Sequence, residues 1–136
     1  MLTVVAALIE SEGKLLVCQR HRDDKFGMMW EFPGGKRKQN ESLEGALERE
    51  LREELGATAR IGPEVYRTHH QYAEMTEPIE LIFFAATLDP QEAKNIIFEQ
   101  ILWCAPAALP ELNFLPADRE LIHKLASGTL QLFRFG

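Results

Sequence analysis

The segment that most constrains the fold is the amphipathic stretch formed by residues 42–55. Leucines recur at every fourth position, with Ala46 beside them, and form one apolar stripe. The stripe consists of Leu43, Leu47, Leu51 and Leu55. Ser42 suits the N-cap of a helix and Gly56 suits its C-terminal stop. The pattern therefore predicts a helix that must pack its leucines against a core.

The rest of the chain predicts mostly short strands. Thr3 to Ile9 and Lys14 to Gln19 are apolar runs on either side of Glu10-Ser11-Glu12-Gly13, which indicates a β-hairpin. Further strands are predicted at Trp30 to Phe32, Ala59 to Ile61, Glu64 to His70, Ile79 to Leu88 and Gln100 to Cys104, and a last helix at Ala117 to Ala126, stopping near Gly128. Because these elements do not alternate as βαβ units, we expect an α+β fold with a mixed β-sheet sandwiched between α-helices.

Length and composition predict one domain spanning residues 1–136. The formal net charge of −6 argues against a partner that is a nucleic-acid polymer, which needs a basic face. Cys18 and Cys104 have no metal-finger spacing, so we expect buried free thiols. No signal-peptide order and no membrane-length apolar run is present, so we expect a cytoplasmic protein that acts without a membrane, as a monomer or a homodimer.

The polar side of the predicted helix is unusually acidic. Glu50, Glu53 and Glu54 stand at positions i, i+3 and i+4, which places three carboxylates on one face. From Glu41 to Glu54 there are six glutamates against two arginines. Divalent cations would neutralise this excess, and oxygen-only ligands suit Mg²⁺ or Mn²⁺. A solvated acidic helix face is the alternative.

A glycine-rich segment precedes the helix. Pro33-Gly34-Gly35-Lys36 predicts a turn whose bare backbone can approach phosphates or offer a carbonyl oxygen to a metal. A plain tight turn is the alternative for this segment taken alone. Together with the acidic helix, it indicates a site for an anion and a metal.

These residues resemble the complete Nudix box, Gx5Ex7REUxEExGU. Gly35 is followed after five residues by Glu41, and after seven more by Arg49-Glu50-Leu51-Arg52-Glu53-Glu54-Leu55-Gly56-Ala57. Only Ala57 departs, because the pattern prefers a larger aliphatic residue there. The flanking segments Trp30 to Lys36, Leu102 to Cys104 and Leu115 to Asp118 extend the likeness, and resemble the MutT and CTP pyrophosphohydrolase branch of the family.

The resemblance implies a Nudix fold and a catalytic centre. Magnesium, with manganese as a possible substitute, would be held by Gly34 through its carbonyl and by Glu50, Glu53 and Glu54. The implied reaction is substitution at phosphorus that releases a nucleoside monophosphate and pyrophosphate. Glu50 is the preferred general base, and an ion pair between Glu41 and Arg49 is expected to tie the loop to the helix.

Further ligands are expected outside the box. Glu99 is the candidate for an additional metal ligand, with an exposed loop carboxylate as the alternative, and Glu92 is a weaker choice. Arg20 resembles a phosphate-binding arginine, although a plain surface charge at the strand end is also consistent. The substrate-binding residues are expected to be Arg20, Lys25, Glu31, Phe32, Pro33, Gly34, Gly35, Lys36 and Asp118, where both lysines have the alternative of being solvated.

Asp118 carries the prediction about the base. It could cap the last helix, whereas MutT-like enzymes point this position into the base pocket. An ionised aspartate only accepts hydrogen bonds, which favours the N4 amine of cytosine over 8-oxoguanine. In MutT-like enzymes an asparagine at this position suits 8-oxoguanine. A protonated aspartate would mimic that asparagine, because it can both donate and accept. Neighbouring His69 and His70 face opposite sides of a strand, so packing or pocket lining is expected for them and for Tyr72.

The predicted function is Mg²⁺-dependent hydrolysis of a nucleoside triphosphate, either a pyrimidine such as CTP or dCTP or an oxidised purine such as 8-oxo-dGTP. This activity would cleanse the nucleotide pool. The alternatives are a non-catalytic Nudix-fold nucleotide sensor and a hydrolase of nucleotide sugars or dinucleotides. The tail Leu130 to Phe135 could be an edge strand, a dimer contact or a packed tail.

Overall fold

The computed structural model describes residues 2–73 and 75–130. In chain order, the elements are β1 (Leu2–Ser11), β2 (Lys14–Gln19), β3 (Trp30–Glu31), β4 (Gly34–Lys36), α1 (Leu43–Leu55), β5 (Arg60–His70), β6 (Ile79–Thr87), β7 (Gln100–Cys104) and α2 (Arg119–Ala126). Two 3₁₀ segments, Pro106–Glu111 and Pro116–Asp118, lie between β7 and α2. The predicted tail beyond Leu130 lies outside the described residues.

The sheet is mixed and is built around β1. This strand runs parallel to β6 and antiparallel to β2 and β4, while β5 pairs with β6 and both β3 and β7 pair with β2, all antiparallel. The β1–β2 hairpin is confirmed. It turns through Glu12 and Gly13, whose φ angles of 51° and 78° are those of a type I′ turn.

Two apolar cores lie on opposite faces of this sheet. Alternate residues of β1 supply both, with Val5 and Ala7 facing α1 and Ala6 and Leu8 facing α2. The leucines Leu47, Leu51 and Leu55 of α1 fill the first core, and Leu121, Ile122 and Leu125 of α2 pack in the second. The predicted sheet between helices is therefore confirmed.

Helix α1 begins and ends where the sequence predicts. The Ser42 hydroxyl accepts a hydrogen bond from the Gly45 N–H at 2.9 Å, which satisfies one free donor of the first turn. Gly56 closes the helix in the left-handed conformation, with φ 65°. The helix face that carries the acidic residues is therefore fixed relative to the sheet.

Three sequence predictions differ from the structure. The predicted turn at Pro33-Gly34-Gly35-Lys36 is wrong, because Gly34–Lys36 pairs with Val4–Ala6 as strand β4. The two strands predicted between Ala59 and His70 are one strand, β5, whose register shifts absorb the Gly62-Pro63 interruption. The last helix begins two residues later than predicted, because a 3₁₀ turn occupies Pro116–Asp118.

Strand β4 can approach β1 only because Gly34 has no side chain. Its φ of 154° is a conformation that favours glycine, and a Cβ atom there would clash with the backbone of Val5 and Ala6. We expect Gly34→Ala to destabilise the protein by about 2 kcal/mol, measured by thermal unfolding. Gly13→Ala is the matched control, since Gly13 has φ 78° with nothing within 4 Å, and it should cost about 1 kcal/mol. Equal losses in the two variants would contradict the clash.

No helix among residues 2–73 and 75–130 is long and apolar enough to cross a membrane. Both cysteines are buried free thiols, as predicted.

Candidate active site

A cavity of about 390 Å³ opens between β1, β4, β6, the loop after β2 and the 3₁₀ turn before α2. Every predicted substrate-binding residue except Pro33 lines it. The Pro33 carbonyl instead accepts a hydrogen bond from Ala7 N–H at 2.9 Å. Apolar side chains form one wall, and alternate residues of β6 (Ile79, Leu81 and Phe83) supply much of it.

Arg20 and Glu31 form the charged end of the cavity. Arg20 Nη1 lies 3.0 and 3.2 Å from the two Glu31 oxygens, and Arg20 Nε donates to the Lys25 carbonyl at 2.7 Å. Burial raises the pKa of Glu31, and the neighbouring guanidinium partly offsets this rise. Arg20 is therefore held at the cavity wall, so the alternative of a plain surface charge is wrong.

Asp118 also lines the cavity and is only 4% exposed. It occupies the N-cap position of α2, yet its side chain makes no capping hydrogen bond. The predicted alternative of a helix cap is therefore wrong. Burial, assisted by the charge of Glu31, raises the pKa of Asp118 well above its ordinary value. Asp118 lines the cavity, and its raised pKa favours the neutral carboxyl, which can both donate and accept.

An aromatic wall stands beside Asp118, in which Tyr72 lines the cavity as predicted and Phe26 was not predicted. The Tyr72 ring is 5.0 Å from that of Phe26 and 4.3 Å from that of His70, and its hydroxyl accepts from the Ala117 N–H at 3.4 Å. His69 faces away and contacts Glu80 at 3.3 Å, so the predicted opposite orientation of the two histidines is confirmed. Phe26 was missed because its placement depends on a left-handed backbone, φ 58°, in an irregular loop.

The acidic face of α1 is pressed against the glycines of β4. Glu54 is 8% exposed and accepts a hydrogen bond from the Gly34 N–H at 3.1 Å. A Cβ atom at Gly35 would lie 2.5 Å from the Glu50 carboxyl, so any side chain at this position would displace that carboxyl. Burial and a hydrogen bond with Glu50 raise the pKa of Glu54 far above its ordinary value. Two carboxyl groups thus share one site that favours added positive charge.

Arg49 supplies positive charge to this face. It binds both oxygens of Glu41 at 2.6 and 3.0 Å, Glu50 at 2.8 Å and Glu53 at 3.1 Å, and it donates to the Lys36 carbonyl at 3.1 Å. The predicted ion pair between Glu41 and Arg49 is confirmed. It lowers the pKa of Glu41 to about 2. The additional bonds from Arg49 to the two helix glutamates were not predicted.

The donor set of this face fits a divalent metal in its chemistry. Glu50, Glu53 and Glu54 offer only oxygen, the ligand that Mg²⁺ and Mn²⁺ prefer, and a guanidinium already occupies two of them. Across the described residues, no three acidic, histidine or cysteine side chains are gathered closely enough to hold a metal as they stand. Exposed Glu53 would therefore have to turn from Arg49, and the ligand assignments, including Gly34, stay predictions.

Glu99 lies outside the cavity, immediately before β7. Its carboxylate is bound by Arg22, with Nη2 to Oε2 at 2.6 Å, and this pairing lowers the pKa of Glu99 to about 2. It is therefore not the solvated loop carboxylate of the alternative. Glu92 is exposed on the loop between β6 and β7. The metal-binding role proposed for Glu99 stays a prediction.

The fold and this arrangement define a class of small hydrolases in which an acidic helix lies beside a ligand cavity. The NUDIX domain model matches residues 1–125, and the chain belongs to the Nudix family. It is a Nudix hydrolase, so the interpretation as a non-catalytic sensor is not supported.

Two relatives and one solved structure give the comparison its detail. CTP pyrophosphohydrolase of Escherichia coli (strain K12) is 38% identical over 127 residues, covering 90% of this chain and 89% of that protein. 8-oxo-dGTP diphosphatase of Haemophilus influenzae is 33% identical over 130 residues, covering 95% and 94%. The solution structure of the E. coli ORF135 protein matches with a TM-score of 0.77 at 33% identity, covering 93% of this chain and 89% of that one.

Nudix hydrolases generally depend on a divalent metal. Small-molecule nucleotide substrates fit the relatives named above. The resemblance stated from the box alone is thus confirmed at the level of family and enzyme class.

Proposed function

We propose that this chain hydrolyses cytidine triphosphates to the monophosphate and pyrophosphate, with Mg²⁺ as cofactor. The observation that carries the proposal is the buried carboxyl of Asp118, whose raised pKa favours its neutral form, in the same cavity as the basic side chains of Arg20, Lys25 and Lys36. The similarity to a CTP pyrophosphohydrolase over 90% of the chain supports it. We also retain the prediction of one domain across residues 1–136 acting in the cytoplasm.

The basic side chains of the cavity would hold the triphosphate. Arg20, Lys25 and Lys36 line the cavity and would bind phosphate oxygens, and the fork of Arg20 suits bidentate binding. Arg20 would share its guanidinium between Glu31 and the phosphate, because Glu31 contacts it through Nη1 alone. These contacts would orient the phosphate chain toward α1.

The carboxylates of α1 would supply the catalytic end. Glu50, Glu53 and Glu54 would hold Mg²⁺, with the Gly34 carbonyl and Glu99 as further ligands. When bound, Mg²⁺ would offset charge on the phosphates and lower the pKa of an attacking water. Glu50 would accept the proton of that water, since it lies against the bare backbone of Gly35 where a phosphate can approach.

The neutral Asp118 would select the base. Its O–H would donate to cytosine N3, and its carbonyl oxygen would accept from the N4 amine. The aromatic wall of Phe26 and Tyr72 offers apolar surface to a flat base. Both contacts are made by groups that lie in the same cavity as the phosphate-binding side chains.

A second candidate substrate is 8-oxo-dGTP. The sequence argument against it assumed an ionised Asp118, and the raised pKa of Asp118 removes that premise. A neutral carboxyl can accept from N7–H of 8-oxoguanine and donate to O6, as an asparagine would. A relative with 33% identity is an 8-oxo-dGTP diphosphatase.

A pyrophosphate-release screen tests the proposal. We expect the highest kcat/KM with CTP or dCTP, measured beside 5-methyl-dCTP, 8-oxo-dGTP, UDP-glucose and a dinucleoside polyphosphate. Activity should vanish with a chelator and return with Mg²⁺. A tenfold or greater preference for 8-oxo-dGTP would replace the first candidate by the second, and turnover of only the sugar nucleotide or the dinucleotide would refute both.

A further inference from the structure

Arg22 and Glu99 form an ion pair. The proposed function gives Glu99 a metal-binding role but gives Arg22 no role. Arg22 Nη2 lies 2.6 Å from Glu99 Oε2, and Nε lies 3.2 Å from Oε1. The backbone N–H of Arg22 also points to Oε1, at 3.3 Å. One residue therefore occupies both oxygens of the Glu99 carboxylate.

The two partners differ in how firmly they are held. The Glu99 N–H donates to the Gln19 carbonyl at 2.9 Å, which continues the pairing of β2 with β7, and its side chain is 20% exposed. The Arg22 side chain is 66% exposed and belongs to the loop after β2. In the described part of the chain, Glu99 is the only hydrogen-bond partner of the Arg22 guanidinium. If the pair opens, Arg22 is the partner that moves.

Arg49 shows the contrasting case. Its side chain is 17% exposed and binds three glutamates and one backbone carbonyl, so it cannot leave without breaking all of these contacts. Arg22 has a single acidic partner and faces solvent. A divalent cation can therefore displace Arg22 from its glutamate more easily than it can displace Arg49.

We propose that Arg22 and a divalent cation compete for the carboxylate of Glu99, so that cation binding there releases Arg22. The proposal rests on the metal-dependent function proposed above and deepens it, because it names the residue that regulates metal binding at the additional ligand. Both oxygens of Glu99 serve the guanidinium, so a cation of the kind that prefers carboxylate oxygen must displace it.

Release of Arg22 from Glu99 would loosen only the start of the loop between β2 and β3. Gln19 Nε2 still donates to the Met28 carbonyl at 2.9 Å, and Arg20 Nε to the Lys25 carbonyl at 2.7 Å, so the remainder of the loop stays fastened. The Arg22 N–H, in contrast, has Glu99 as its acceptor. Hydrogen exchange at this amide therefore reports the state of the pair.

The first test measures Mn²⁺ binding without nucleotide, by electron paramagnetic resonance of the free ion. We expect Arg22→Gln to bind Mn²⁺ about three- to fivefold more tightly, the range that an exposed ion pair allows, and Glu99→Gln to bind it more weakly. Arg67→Gln is the matched control. Arg67 also binds both oxygens of a glutamate, Glu64, and should leave Mn²⁺ affinity unchanged.

The second test measures hydrogen exchange of the Arg22 amide. We expect added Mn²⁺ to accelerate it in the wild-type protein, and to have no effect in Glu99→Gln, where exchange is already fast. Unchanged Mn²⁺ affinity in Arg22→Gln, or unchanged exchange in the wild type, would overturn the proposal. If Glu99→Gln binds Mn²⁺ like the wild type while the wild type releases pyrophosphate from CTP, this proposal fails and the proposed function stands.

Discussion

Replacing Glu54 with glutamine is expected to lower kcat for pyrophosphate release about a thousandfold, which corresponds to about 4 kcal/mol of transition-state stabilisation. Glu54 is a proposed metal ligand that lies between the Gly34 N–H and the Glu50 carboxyl. Glutamine preserves the size of the side chain but offers one weak oxygen donor instead of a carboxylate. Metal-dependent turnover measured with CTP at saturating Mg²⁺ checks this.

The same substitution should leave the fold intact. Because the folded-state pKa of Glu54 is raised, folding takes up a proton at neutral pH and costs stability between the unfolded and folded pKa values. Glutamine removes that cost, so we expect an unchanged or higher Tm at neutral pH without metal. Glu48→Gln, an exposed glutamate of the same helix, is the control and should keep both kcat and Tm. Full activity in Glu54→Gln would refute the metal assignment.

Asp118 has the second-largest expected effect. Asp118→Ala should lower kcat/KM for CTP about a hundredfold, since it removes a paired donor and acceptor and leaves the base edge unsatisfied. Asp118→Asn should stay within about fivefold of the wild type, because an amide matches a neutral carboxyl in donating and accepting. Steady-state kinetics at neutral pH separates the two variants.

The pH dependence distinguishes a neutral from an ionised Asp118. We expect its raised pKa to keep the carboxyl protonated at neutral pH, and rising pH should ionise it beside Glu31 and Tyr72, removing the O–H donor. KM for CTP should then increase at alkaline pH in the wild type and not in Asp118→Asn. Dividing the KM of the wild type by that of Asp118→Asn at each pH removes the effect of other groups that titrate in both proteins. A constant ratio, or a hundredfold loss in Asp118→Asn, would contradict the neutral form.

The helix and the two-sided packing could be predicted because each follows from local periodicity. The fourfold spacing of leucines and the caps at Ser42 and Gly56 fix α1 without reference to the rest of the chain. Strand β4 could not be predicted in this way. Gly34 and Gly35 have turn chemistry, and they pair as a strand only because bare backbone fits between β1 and the carboxyls of α1.

Site residues could be predicted where they are contiguous in the sequence. They could not be predicted where an irregular loop brings distant residues together. Six of the predicted cavity residues form the continuous segment 31–36, and only Pro33 among them lies off the cavity. Phe26 and Arg22 were missed, because their contacts with Tyr72 and Glu99 span irregular backbone. The protonation of Asp118 was also left open, since burial cannot be read from its neighbours in sequence.

The interruption of strand β5 also affects whether two copies of this protein can pair through the edges of their sheets. Among the described residues it lies at the end of the strand order, where eleven extended residues would offer a template for another chain. Pro63 has no N–H to donate, and the register shifts on either side of Glu64 twist the strand away from a regular edge. We therefore expect this edge to resist growth of the sheet from one molecule to the next.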